Sequence, residues 1–127
     1  IKVEWTNCNK NTSSAFAFLR DMAKNCYAIV AHNAEFDKKF LRTKTELNEE
    51  FWARKWICTK KDFVWPVQLF RNRLQDICAA MEVNYVDAHR ALTDCHLIAK
   101  CFSKVADLEF RLRNATMKTF SNSRTYR

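Results

Sequence analysis

The chain has 127 residues, 48% hydrophobic and 13% aromatic, which is enough for one domain with a sizeable core. No apolar run approaches ~18 residues and no basic–apolar–small leader opens the chain, so neither a membrane span nor a secretory signal is expected. The formal charge of +8 suits a polyanionic partner, although many soluble domains are basic for other reasons. There is no glycine, which removes every Gly-rich phosphate loop and with it the P-loop and dinucleotide-binding classes. Any position that needs positive φ must then use Asn or Asp, and "TNCNKN" (Thr6 to Asn11) is a candidate.

In chain order, "IKVEW" alternates and reads as a strand. "NTSSAFAFLRDMAKN" reads as a helix capped by Thr12, Ser13 or Ser14, with Phe16, Phe18, Leu19 and Met22 turned inward. "CYAIVAH" is a short β-branched run, the mark of a buried strand that ends at His32. "NAEFDKKFLRTKTEL" follows as a helix with Phe36, Phe40 and Leu41 on one face, and "KWICTK" is a further buried strand. A loop surrounds Pro66, which disfavours helix at Trp65. "NRLQDICAAMEV" is helical, as is the segment from Ala91 to Phe102, where Ala91, Leu92, Cys95, Ile98, Ala99 and Phe102 recur at helical spacing. "VADLEFRLRNA" is the last helix. Residues 1–115 thus form one domain, and 116–127 read as a basic, mobile tail. Alternating strands and helices argue for an α/β layer with parallel strands, where chemistry gathers at the strands' carboxyl ends.

Cys8, Cys26, Cys58, Cys78, Cys95 and Cys101 form no C-x-x-C pair, which argues against a zinc knuckle. Several fall on apolar faces, where a thiol acts as a small hydrophobe, and a reduced cytoplasmic protein is expected.

Two short motifs carry chemistry. "HNAEFD" (His32 to Asp37) lies just past a strand end, and "HRALTD" (His89 to Asp94) opens an apolar helix. Each sets an aspartate about one turn into a helix, beside an apolar face. If the two helices pack together, Asp37 and Asp94 converge, and two close carboxylates repel unless a cation sits between them. Hard oxygen ligands select Mg²⁺ or Mn²⁺. A neutral His89 nearby can take a proton from a metal-bound water. Acids, a divalent ion, a base and a basic surface together make phosphodiester hydrolysis the natural reaction class. His32 reads instead as a hydrogen-bonding residue at the strand end, and His96 as solvated.

These residues resemble the DEDDh 3′–5′ exonucleases, which include the proofreading subunit of the bacterial replicative polymerase, RNase T and oligoribonuclease. The family's second motif, H-N-x-x-F-D, is matched by His32, Asn33, Phe36 and Asp37. Its third, H-x-A-x-x-D, is matched by His89, Ala91 and Asp94, with Arg90 and Leu92 in the frequent H-R-A-L-x-D form. The resemblance runs from about Ser13 to Phe102. It implies a ribonuclease H-like fold, a mixed sheet flanked by helices, incomplete here at its N-terminal strands. It implies Asp94 as a direct metal ligand, Asp37 as a ligand of the second metal through water, and His89 as general base. Asn33 and Phe36 would lie beside the substrate or brace the strand-to-helix corner. Two Mg²⁺ or Mn²⁺ ions serve an intact site. The implied substrate is DNA or RNA with a 3′ end, and the assemblies to consider are a polymerase partner or a homodimer.

The family's first motif, D-x-E-T or D-x-E-x-T, is missing. In "KVEWT", Glu4 and Thr6 match its Glu and Thr, but Lys2 stands where Asp is required. Either the chain begins in the third strand, without the first strand's acids, or an intervening hairpin is deleted and Glu4 is a remnant. The first is favoured, because a deletion would leave Lys2 facing the metals. Glu4 is therefore the weakest metal candidate, and a centre lacking its main carboxylates is expected to be weak or inactive. The alternative to an exonuclease is a catalytically dead module that binds nucleic acid or protein. Lys38, Lys39, Arg42 and Lys44 form one basic group, and Arg54, Lys55, Lys60 and Lys61 a second, interleaved with Trp56, Phe63 and Trp65. The tryptophans read as core or loop anchors before stacking platforms.

Overall fold

The computed structural model describes residues 12–86 and 91–115. The expected strand "IKVEW", the "TNCNKN" turn and the tail 116–127 lie outside the described residues. Within them run α1 (Thr12–Ala23), β1 (Ala28–Ala31), α2 (Ala34–Leu41), α3 (Glu49–Trp52), β2 (Lys55–Cys58), α4 (Leu74–Ala80) and α5 (Ala91–Phe102). Residues 108–115 are also helical.

The two strands pair in parallel, with Ile29 opposite Trp56, Val30 opposite Ile57 and Ala31 opposite Cys58. Because side chains alternate across a strand, this register sorts the strand residues into two cores. Ala28, Val30 and Ile57 face α4 and α5 and join Ile77, Cys78, Leu97, Ile98 and Cys101. Ile29, Ala31, Trp56 and Cys58 face the other way and join Ala23, Ala34, Leu47 and Phe51. The result is an α/β layer with helices on both faces of a parallel pair. Of the described helices none is long and apolar enough to cross a membrane.

Three sequence expectations need correction. Phe18 and Met22 do not turn inward; they are 53% and 43% exposed, while Phe16, Leu19 and Ala23 meet the core. Helix α2 stops at Leu41 rather than running to Leu47. Thr43 Oγ1 donates to the Phe40 carbonyl (2.8 Å), which occupies a C-terminal acceptor and turns the chain. Leu47 then reaches the core from a turn. On α5 the buried row is Leu97, Ile98 and Cys101, while Cys95 and Ala99 are exposed. A helix with apolar residues nearly all round fits more than one stripe, and the packing against α4 selects this one.

Without glycine, two other residues take the left-handed backbone region, Asn33 (φ 68°) and Glu82 (φ 60°). Asn33 turns the chain from β1 into α2. Glu82 follows α4 in a Schellman turn: its N–H donates to the Ala79 carbonyl (3.2 Å), and Val83 N–H donates to that of Cys78 (2.8 Å).

Candidate functional site

The carboxyl end of β1 is fixed by the segment that follows β2. Thr59 N–H donates to the Ala31 carbonyl (3.0 Å), and Thr59 Oγ1 is 2.9 Å from His32 Nδ1. Thr59 is 1% exposed, and its carbonyl accepts from Trp65 Nε1 (3.1 Å). Buried Asp62 accepts from the Cys58 N–H (2.9 Å), closing the turn on itself. Ala34 N–H points at Cys58 Sγ (3.3 Å), which ties the first residue of α2 to β2. His32 is thus a hydrogen-bonding residue at the strand end, as its position suggested. Thr59 and Asp62 escaped the sequence reading. The signal was available only through the strand register, which places Thr59 beside His32.

From this corner α2 carries Asp37 in its first turn, half-buried, and α5 carries Asp94 in its first turn. Asp94 stands three, four and seven residues before Leu97, Ile98 and Cys101. It therefore heads the buried row of α5, while its own carboxylate remains exposed. A helix N-terminus favours a negative charge, yet the Asp37 carboxyl is pushed above the usual aspartate range. Burial is the larger cause and the Asp94 charge the second. The same charge acts on His32. There burial and then Lys60 hold the imidazole below its ordinary value, with Asp94 pulling the other way. The Cys95 thiol is raised by partial desolvation, then by Asp94, then by Asp37. The Asp94 charge thus reaches Asp37, His32 and Cys95.

Whether a divalent ion fits can be judged from this donor set. Among the described residues no group of three or more His, Cys, Asp or Glu side chains gathers as a metal cage. Mg²⁺ does not need one, since it is commonly held by one or two carboxylates together with waters and substrate phosphates. The pair fits that pattern in charge and in donor type. His89 and Glu4 lie outside the described residues, and so does Lys2. Asn33 forms the left-handed corner between β1 and α2 and makes no side-chain capping bond. Phe36, one residue before Asp37, is 68% exposed. It shares an α2 face with Phe40, but that face is open to solvent and is not the core face; Leu41 supplies the packing.

The site is of the α/β class, set at the carboxyl end of parallel strands. An exonuclease family model, that of RNase T, matches residues 6–102, which include both motifs and all seven elements from α1 to α5. The chain belongs to this family of DEDD-type 3′–5′ exonucleases. No curated protein and no solved structure gives a significant match.

Proposed function

We propose that this domain acts in 3′–5′ hydrolysis of DNA or RNA, with Asp37 and Asp94 as carboxylate ligands of Mg²⁺ or Mn²⁺ and His89 as general base. The observation that carries the reading is the upward shift of Asp37, to which Asp94 contributes. A carboxyl whose ionisation is penalised by a second carboxylate nearby is placed to share a cation with it. Such an ion would supply charge neutralisation at the phosphate and a more acidic bound water. An intact centre of this family type takes two ions, and the remaining ligands would be first-motif acids, for which Glu4 is the weakest candidate. The chain's own residues do the rest. Exposed Phe36 offers a ring beside Asp37 for a terminal base to stack on. Asn33 sets the angle at which α2 leaves the strand. His32, held by Thr59 and kept toward its neutral form, adds no positive charge that would compete for the acids.

Two measurements test this. Millimolar Mn²⁺ should raise the Tm of the protein by ligand linkage and should lose that effect in Asp94→Asn. An unchanged Tm in the unsubstituted protein would remove the pair as a cation site. On a 5′-labelled single-stranded oligonucleotide with Mn²⁺, a 3′ ladder abolished by Asp94→Asn and by His89→Ala supports hydrolysis. A folded protein that gives no ladder favours the other reading, a binding module that keeps the fold without the catalysis.

A further inference from the structure

The end of α2 away from Asp37 carries a second feature. Phe40 is 56% exposed and lies one turn beyond Phe36 on the same face. Its ring meets that of Phe16 at 6.3 Å between centroids, and Lys44 Nζ stands 4.7 Å from the Phe40 centroid and 5.2 Å from that of Phe16. On the flank of α2, Arg42 Cζ lies 4.6 Å above the Trp52 ring, which stacks on Trp56 at 5.8 Å and 12°. Lys38 Nζ lies 5.4 Å from the Trp56 centroid.

The ion pairs at Asp21, Asp76, Asp107 and Glu109 involve other cations. Lys38, Arg42 and Lys44 are held over rings. An ammonium over a ring keeps its charge and its N–H donors available, and its side chain is already ordered. The helix dipole accounts for basic residues at a C-terminus. It does not account for rings exposed by more than half their surface beside them. A partner that satisfies both must present flat π faces and dense negative charge together. An acidic peptide has the charge without the π faces; a single-stranded polynucleotide has both.

We infer that Phe40, Lys44 and Arg42 form a second nucleotide-contact site, at which a single strand that enters the Asp37–Asp94 centre is held as it runs along α2. The eight residues of α2 span about 12 Å, so the site lies within reach of the same strand. This rests on the hydrolytic reading for its direction, but not for its binding.

The test is fluorescence anisotropy with a 5′-fluorescein oligothymidine in EDTA, so that binding is read without cleavage. Phe40→Leu should weaken binding roughly tenfold. Lys44→Gln should lower the slope of log K against log salt by about 0.7. Lys100→Gln, on the exposed end of α5, should change neither. Phe40 is a surface ring, and the Tm of each variant verifies folding. Variants that bind like the unsubstituted protein overturn the inference, as does a protein that does not bind the oligonucleotide at all. Polyglutamate that competes as well as unlabelled oligothymidine also overturns it, since the contact is then charge alone. The two readings fail separately. A Mn²⁺-dependent ladder with unaffected Phe40→Leu and Lys44→Gln binding removes this site and keeps the hydrolysis. Binding lost in these variants with no ladder keeps this site and removes the hydrolysis.

Discussion

The two faces of the β1–β2 pair are built from similar residues and put to different use. On the α4–α5 side, Ile57, Ile77, Cys78 and Cys101 are all 0% exposed. Cys101 and Cys78 meet there at 3.9 Å, and burial, then Cys78, pushes the Cys101 thiol up to about 12. Such thiols are packing groups and not nucleophiles. On the α1–α2 side the core is smaller, and Phe18, Phe36 and Phe40 stand outward, Phe40 with Lys44 beside its ring. Both faces bury aromatic rings, Phe51 and Trp56 on the α1–α2 side and Phe63 and Trp65 on the other, but α1 and α2 also turn phenylalanines outward. An aromatic residue in this chain is therefore not by itself a core residue. Its role follows from the face it occupies.

Substitution is the bluntest way to break the comparison. Ile77→Ala on the buried side should lose about 2–5 kcal/mol, because the methyl groups leave a cavity in a closed core. Phe36→Ala on the open side should change stability by no more than about 0.5 kcal/mol. Urea unfolding of both variants checks this, and a Phe36 cost near that of Ile77 would mean that the ring is packed. The next effect is smaller and opposite in sign. Glu82 pays the steric cost of a left-handed residue that a Cβ imposes at the end of α4. Glu82→Gly should therefore stabilise by about 1 kcal/mol. Its carbonyl still accepts from Lys104 Nζ (2.8 Å), so that contact survives the change. Asn33→Gly should gain less, since asparagine tolerates this conformation better than glutamate does.

The same contrast explains what could be read from the sequence. Both described strands were legible because a short β-branched run between turns has few other uses. The candidate acids could be picked out because each motif is local, a strand end or helix start with an aspartate one turn on. Helix α3 was missed, although Asn48 before Glu49 and Glu50 is a usable cap signal; its side chain accepts from Phe51 N–H at 3.0 Å. The α5 stripe was misplaced by rotation, because local periodicity does not say which neighbour the helix meets. Thr59 and Asp62 were not legible, since their partners come from the register of β1 on β2 and from the turn that follows it. Nor were the cation–ring contacts of α2, which need Phe16 and Trp52 from other helices.

The smallest expected effect is the dependence of stability on pH, and it separates the two causes at Asp37. The folded pKa of Asp37 is raised above its ordinary 3.8, so the folded chain holds this proton more tightly than the unfolded chain. Between 3.8 and the raised value the folded state binds more protons, and stability must fall as pH rises through that window. Above the window the loss is complete and constant. His32 has the opposite sign. Its pKa is lowered from 6.5, so the unfolded state binds more protons just below that value, and stability rises with pH there. Urea midpoints across pH in metal-free buffer should therefore show a falling limb at acid pH and a rising limb nearer neutrality. Asp37→Asn should remove the falling contribution and leave the rising one. Asp94→Asn should only flatten the Asp37 limb, because burial, the larger cause, remains. If Asp94→Asn leaves that limb unchanged, the two carboxylates do not share a field, and the acid pair ceases to be a site whatever the motifs spell.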